Sequence, residues 1–200
     1  MDDECYFTLT NTNIASNNIY YTSNSSTTPS DIKFKTKAKF EEKILVYIVM
    51  SSKGISKPVM FPSGLAINQQ KYLSECIQKR LIPFIEAYHK NDQVVFWPDL
   101  ARTHYAKTVV DYIESKNVQM VAKEDNPANV PECRPIEDFW RDLKQLVYNK
   151  NWQAENTEQL RRRIEYCLKK VDMTRVQSQM ESIKFRLDLV RRFGVVETRQ

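Results

Sequence analysis

The ten residues KILVYIVMSS, Lys43 to Ser52, decide how this chain folds. They are nearly all apolar and β-favouring and run for the length of one strand. They lack the alternation of a half-exposed strand, so they mark a strand buried on both faces. Downstream, Lys53-Gly54 is a turn, and Lys57 to Phe61 returns as a neighbouring strand. Upstream, Cys5 to Leu9 reads as a short strand behind an acidic start, Asp2-Asp3-Glu4. Between them, residues 10–36 are rich in Ser, Thr and Asn and too polar for a core. They read as a long hairpin or surface excursion in which Ile19 to Thr22 pair as a strand.

Beyond this centre, Asn68 is placed to cap a helix carrying Tyr72, Leu73, Cys76 and Ile77 at helical spacing, which Pro83 breaks or kinks. Gln93 to Trp97 is a second buried strand, stopped by Pro98. A helix over about Leu100 to Lys116 and a short strand over Val118 to Ala122 follow. Strand, helix and strand in that order form a crossover unit with parallel strands and a right-handed connection. After the proline-containing loop from Lys123 to Pro135, three helices are expected, opening at Ile136, Thr157 and Thr174. Strands first and helices gathered at the end describe a mixed α/β layer fold. No internal repeat and no linker divide the 200 residues, so they read as one domain.

Composition narrows the function classes. No apolar run approaches the roughly 20 residues of a membrane span, and Met1 is followed at once by acids rather than by a signal peptide. The four cysteines, Cys5, Cys76, Cys133 and Cys167, are scattered, and two histidines do not complete a zinc pattern with them. Reduced thiols in an intracellular compartment are expected. The net charge of +5 is uneven: residues 141–200 hold 14 Lys and Arg against 8 Asp and Glu, leaving 16 and 17 for residues 1–140. A basic C-terminal third suits a polyanionic partner, and it equally suits a solvated helical face.

Three acidic stations stand out: Asp2-Asp3-Glu4, Asp99 after Phe96-Trp97-Pro98, and Glu137 after Pro135-Ile136. Each is expected where a strand ends or a helix begins, so carboxylates distant in sequence meet over one sheet edge. Three carboxylates so placed can hold a pair of hard divalent cations, which cleave or rejoin phosphodiesters. Each also has a plainer role. Asp99 suits a helix N-cap, Glu137 favours the positive end of a helix dipole, and the first three acids suit a frayed end. His104 lies a turn beyond Asp99 and is either an accessory of the same pocket or an ordinary core or surface histidine. Trp97, Phe139 and Trp140 read as core rather than as a base-stacking platform. With three glycines there is no phosphate-binding glycine loop, and no Ser-His-Asp set is expected.

The ordered set carries a resemblance. VFWPDLARTHYAK (Val95 to Lys107) and NPANVPECRPIEDFWRDLK (Asn126 to Lys144) resemble the catalytic domain of mariner-like DNA transposases, and DDECYF (Asp2 to Phe7) resembles that family's first acidic motif. The match rests on Asp99 with His104 five residues on, and on Pro135-Ile136-Glu137 followed by Phe139-Trp140. The resemblance implies a ribonuclease-H-like mixed sheet flanked by helices. It implies catalytic and metal-ligating roles for Asp3, Asp99 and Glu137, with two Mg²⁺ or Mn²⁺ ions. Asp3 is preferred over Asp2 because it directly precedes Glu4. The implied partners are transposon-end and target DNA, with no membrane and with a homodimer left open; the implied location is the nucleus. A helix-turn-helix region and most of the first strand are expected to be missing ahead of the first motif. The alternative is a transposon-derived protein that no longer cuts and binds DNA or protein through its basic helices.

Overall fold

The computed structural model describes residues 1–10, 20–34, 41–62, 64, 67–128 and 130–194. At its centre is β2 (Lys43–Ser51), in which all seven interior residues are buried. It is paired on both sides. β1 (Asp2–Thr8) runs antiparallel along its whole length, from Asp2 opposite Val49 to Thr8 opposite Lys43. On the other side β3 (Gly54–Ile55) and β4 (Val59–Pro62) pair with its two ends, also antiparallel. A second ladder joins β5 (Val95–Phe96) to β6 (Gln119–Met120) in parallel, as the crossover reading requires. Among the described residues no backbone–backbone bond links β1 to β5.

Side chains along a strand alternate between faces, and this divides the core into two layers. Ile44, Val46, Ile48 and Met50 face one way, with Phe7, onto α5 (Pro135–Val147), α6 (Thr157–Leu168) and α7 (Met173–Glu181). Leu45, Tyr47 and Val49 face the other, with Phe61, onto the helix over residues 69–88 and α4 (Lys107–Ser115). α5 is the most strongly two-faced helix. Proline opens it at the position where a missing N–H costs least, and Ile136, Phe139, Trp140, Leu143 and Val147 bury one stripe. Leu143 is fully buried, so Leu143→Ala is expected to lower the unfolding free energy by about 2–5 kcal/mol in a denaturant titration.

Several expectations are corrected. Asn68 does cap its helix, accepting the Lys71 N–H at 2.9 Å. Pro83, however, does not interrupt it. After α2 (Gln69–Lys71) the chain widens to π winding over Tyr72–Leu81, closing with Ile82 N–H on the Ile77 carbonyl, and passes into α3 (Ile82–Tyr88) with Pro83 in its first turn. The change of winding leaves the proline where no N–H is needed. The strand expected over Gln93 to Trp97 shrinks to Val95–Phe96, with Val95 exposed, and Val118 to Ala122 shrinks to Gln119–Met120. The helix expected from Leu100 begins at Lys107, because Asp99 Oδ1 accepts the Ala101 N–H and folds the intervening residues into turns. The last helix is two, α7 and α8 (Ile183–Phe193), meeting at Ser182, whose hydroxyl turns back to the Gln179 carbonyl.

Of the polar excursion, residues 11–19, 35 and 36 lie outside the described residues, Ile19 among them. Tyr20 to Thr22 form no strand; Thr22, Asn24 and Thr28 bond one another in a local turn ahead of the short α1 (Ser30–Lys33). A Ser-His-Asp chain also exists against expectation. His89 Nε2 lies 2.8 Å from Ser51 Oγ, and its Nδ1 lies 2.7 Å from Asp92, which pairs with Lys53. Ser51 Oγ already accepts the Lys53 N–H, and the set fastens the β2–β3 turn to the end of α3.

Candidate active site

The first acidic station does not follow a strand; it is the opening of β1. Period-two alternation therefore sends its acids to opposite faces. Asp3, opposite Ile48, faces α5, where Trp140 Nε1 donates to its Oδ2 at 2.9 Å. Asp2 and Glu4 face the other layer. Asp2 is fully buried, and its Oδ2 accepts from the Tyr47 and Tyr72 hydroxyls while Oδ1 accepts nothing. Glu4 lies 3.4 Å from His104 Nε2.

Asp99 leaves the end of β5 and spends one oxygen on the protein. Its Oδ1 accepts the Ala101 N–H at 2.8 Å and lies 2.5 Å from His104 Nδ1. His104 is 2 % exposed and stacks on the Tyr72 ring with centroids 3.9 Å apart. Burial alone would lower its pKa, but contact with Asp99 and Glu4 outweighs this and pushes the imidazole up to about 10. The same pairing outweighs burial at Asp99 and holds its carboxyl below the usual carboxylate range. Glu4, Asp99 and His104 offer ligand atoms within 4.8 Å of one another. With Nδ1 toward Asp99 and Nε2 toward Glu4, the ring sits between two carboxylates that favour its protonated form.

Glu137 stands in the first turn of α5, exposed at its surface. Loss of hydration, with Asp138 and Asp99 adding to it, raises its pKa against the pull of Arg134 and Lys144. Burial and the Glu137 charge push Asp3 up to about 7. The three acids expected from the sequence are carried by three separate segments: Asp3 feels the Glu137 charge and Glu137 that of Asp99, while the carboxylate with a ligand oxygen within 4.8 Å of Asp99's is that of Glu4. The two aspartates are each fixed through one oxygen, a supporting layer of the kind that orients metal ligands.

Other residues completed this arrangement without being singled out beforehand. Glu4 was read as part of an acidic start ahead of the strand, and its closeness to Asp99 and His104 follows from its place inside β1. Trp140 is core, as expected, and also the donor that fixes Asp3. Arg134 gave no sequence signal. Its Nη1 donates to the Pro98 carbonyl at 2.9 Å and its Nη2 to the Asp2 carbonyl at 2.8 Å.

A mixed α/β core with acids gathered at strand and helix ends defines the class of fold, and comparison with solved structures places it. The chain aligns with Mos1 mariner transposase in a paired-end complex with Mn at a TM-score of 0.79 and 15% identity, covering 97% of this chain and 54% of that one. It aligns with the Mos1 catalytic domain at a TM-score of 0.62 and 15% identity, covering 79% and 74%. In sequence it is 26% identical to the Tc3 transposase of Caenorhabditis elegans over 119 residues, 59% of this chain and 35% of that protein. No protein-family model matches the chain. The chain is thus similar in fold to the Mos1 catalytic domain and, over 119 residues, in sequence to the Tc3 transposase. It spans about half the length of the Mos1 chains in those DNA complexes.

Proposed function

We propose that this chain is a transposase catalytic domain that cleaves DNA strands and transfers them, with Mg²⁺ or Mn²⁺ held by Asp3, Asp99 and Glu137. What supports this reading is that Asp3, Asp99 and Glu137, on β1, the β5 end and the α5 start, feel one another's charge in the order Asp3–Glu137–Asp99, with Asp3 held by Trp140 and Asp99 by the Ala101 N–H. The donor set fits the group: all-carboxylate oxygen suits a hard divalent cation, and Asp3 and Glu137, whose pKa values are raised, gain from one, while Asp99 is already held low. Bound there, the ions supply activation of a hydroxyl nucleophile and stabilisation of the leaving oxygen. The chain's own residues do the rest. Trp140 and His104 hold the two aspartates, and Glu137, exposed at the helix start, faces what approaches.

DNA is the partner this reading implies, and the Mos1 complexes with a transposon end are of that kind. Part of the basic surplus is spent internally: Arg175 on Asp142, Arg186 on Asp138, and Arg191 and Arg192 on Asp188. No described helix is long and apolar enough to cross a membrane. A second reading, DNA or protein binding without cleavage, draws on one observation: Asp99 Oδ1 is already engaged by His104 Nδ1 at 2.5 Å. Incubation of the purified protein with supercoiled plasmid and Mn²⁺ separates them. Nicking that depends on the metal and on Asp99 and Glu137 supports the enzyme; binding without nicking supports the alternative.

A further inference from the structure

We infer that Arg134 is a positioning residue that sets the three acid-bearing segments relative to one another, a role that rests on the acidic centre proposed above. Arg134 immediately precedes Pro135-Ile136-Glu137 and supplies the N-cap position of α5. One guanidinium nitrogen holds the carbonyl of Pro98, the neighbour of Asp99; the other holds the carbonyl of Asp2, the neighbour of Asp3. A single side chain next to the third station is therefore bonded to the backbone beside the first and the second.

The topology gives this weight. β1 and β5 share no backbone bond among the described residues, so no ladder fixes their spacing. The Pro98 carbonyl is further held by Asn126 Nδ2 at 2.9 Å, and Asn126 also accepts from Trp97 Nε1, so the β5 end is a firm anchor. The guanidinium lies 5.6 Å from the Trp97 ring centroid, which adds to the anchoring. A planar fork with two fixed donors can bridge two carbonyls at once; an ammonium on a single stem is a point charge without that geometry. Charge and positioning also pull in opposite directions here, because a cation beside three acids opposes binding of another cation.

That opposition makes the test decisive. Mn²⁺ alone is titrated into the full chain and free Mn²⁺ is followed by electron paramagnetic resonance, for the wild type, Arg134→Lys and Arg134→Met. Both variants are expected to weaken Mn²⁺ binding, by about 10–100-fold, the loss typical of removing a group that orients metal ligands. Unchanged binding in Arg134→Lys, or tighter binding in Arg134→Met, reduces Arg134 to a charge and overturns the inference. Asp99→Asn and Glu137→Gln test the underlying centre in the same titration; if neither alters Mn²⁺ binding, the centre is wrong. The crystal structure of Arg134→Lys then still judges the positioning role. Displacement of the β1 start from Pro98 supports it, and unmoved Asp2 and Pro98 carbonyls overturn it.

Discussion

Asp99→Ala and Glu137→Ala are each expected to abolish Mn²⁺-dependent nicking, by on the order of 10³-fold or more, or roughly 4 kcal/mol of transition-state stabilisation. The two substitutions reach that outcome by different routes. Glu137 is exposed and accepts no hydrogen bond among the described residues, so its loss is expected to change folding stability by no more than about 0.5 kcal/mol. Its effect reads as chemistry alone. Asp99 is also the partner of a buried imidazolium, and removing it leaves His104 with Glu4 only, at a cost of several kcal/mol. A plasmid-nicking time course beside a thermal melt distinguishes the cases. Retained nicking in Glu137→Ala, with the fold intact, would sink the assignment of that residue.

The second large effect concerns His104. Its two nitrogens serve different carboxylates, Nδ1 to Asp99 and Nε2 to Glu4. Asn places an amide nitrogen near the Nδ1 position, and Gln places one near Nε2. His104→Asn is therefore expected to keep nicking within about threefold of wild type, and His104→Gln to lose at least about tenfold, since one supporting group beside a ligand is worth that much. Equal losses in both would show that only the ring's bulk or charge matters. The pH dependence has a definite sign. A pKa raised from 6.5 to about 10 on folding gives stability that is fully present below 6.5 and is lost as pH rises through 10. Melting temperatures should fall across that window in the wild type and fall less in His104→Asn. The difference is on the order of a few kcal/mol for a shift of that size.

Much of this architecture was legible because it depends on local pattern. A continuous apolar run could only be a doubly buried strand, and β2 is one. Pro135 followed by an apolar stripe could hardly be anything but the start of α5. What failed was decided by contacts across the chain or by single side chains. The helix after Asp99 starts late because the Asp99 carboxylate captures the Ala101 N–H, and helical spacing in Leu100 to Lys116 carries no trace of that. Pro83 is tolerated because the winding before it is π, a state that local propensity does not specify. Within the candidate site, the acids could be listed but not assigned to faces until the first of them were known to lie inside β1. Arg134 was invisible for a stronger reason: its partners are main-chain carbonyls, which every residue possesses.

Three acids in succession at the head of β1 have an effect on error tolerance. Sliding that strand by one residue against β2 would still present a carboxylate to α5, Asp2 or Glu4 in place of Asp3. A carboxylate toward α5 therefore does not by itself police the register, although a slip would also part Asp2 from the Tyr47 and Tyr72 hydroxyls. Phe7 does so, fully buried on the α5 side with its ring edge-on to Trp140 and stacked on Tyr148. A slip would expel that ring into the opposite layer. An aromatic residue with no chemistry of its own thus selects which carboxylate the centre receives, and damage to Phe7 would present itself as damage to the acids.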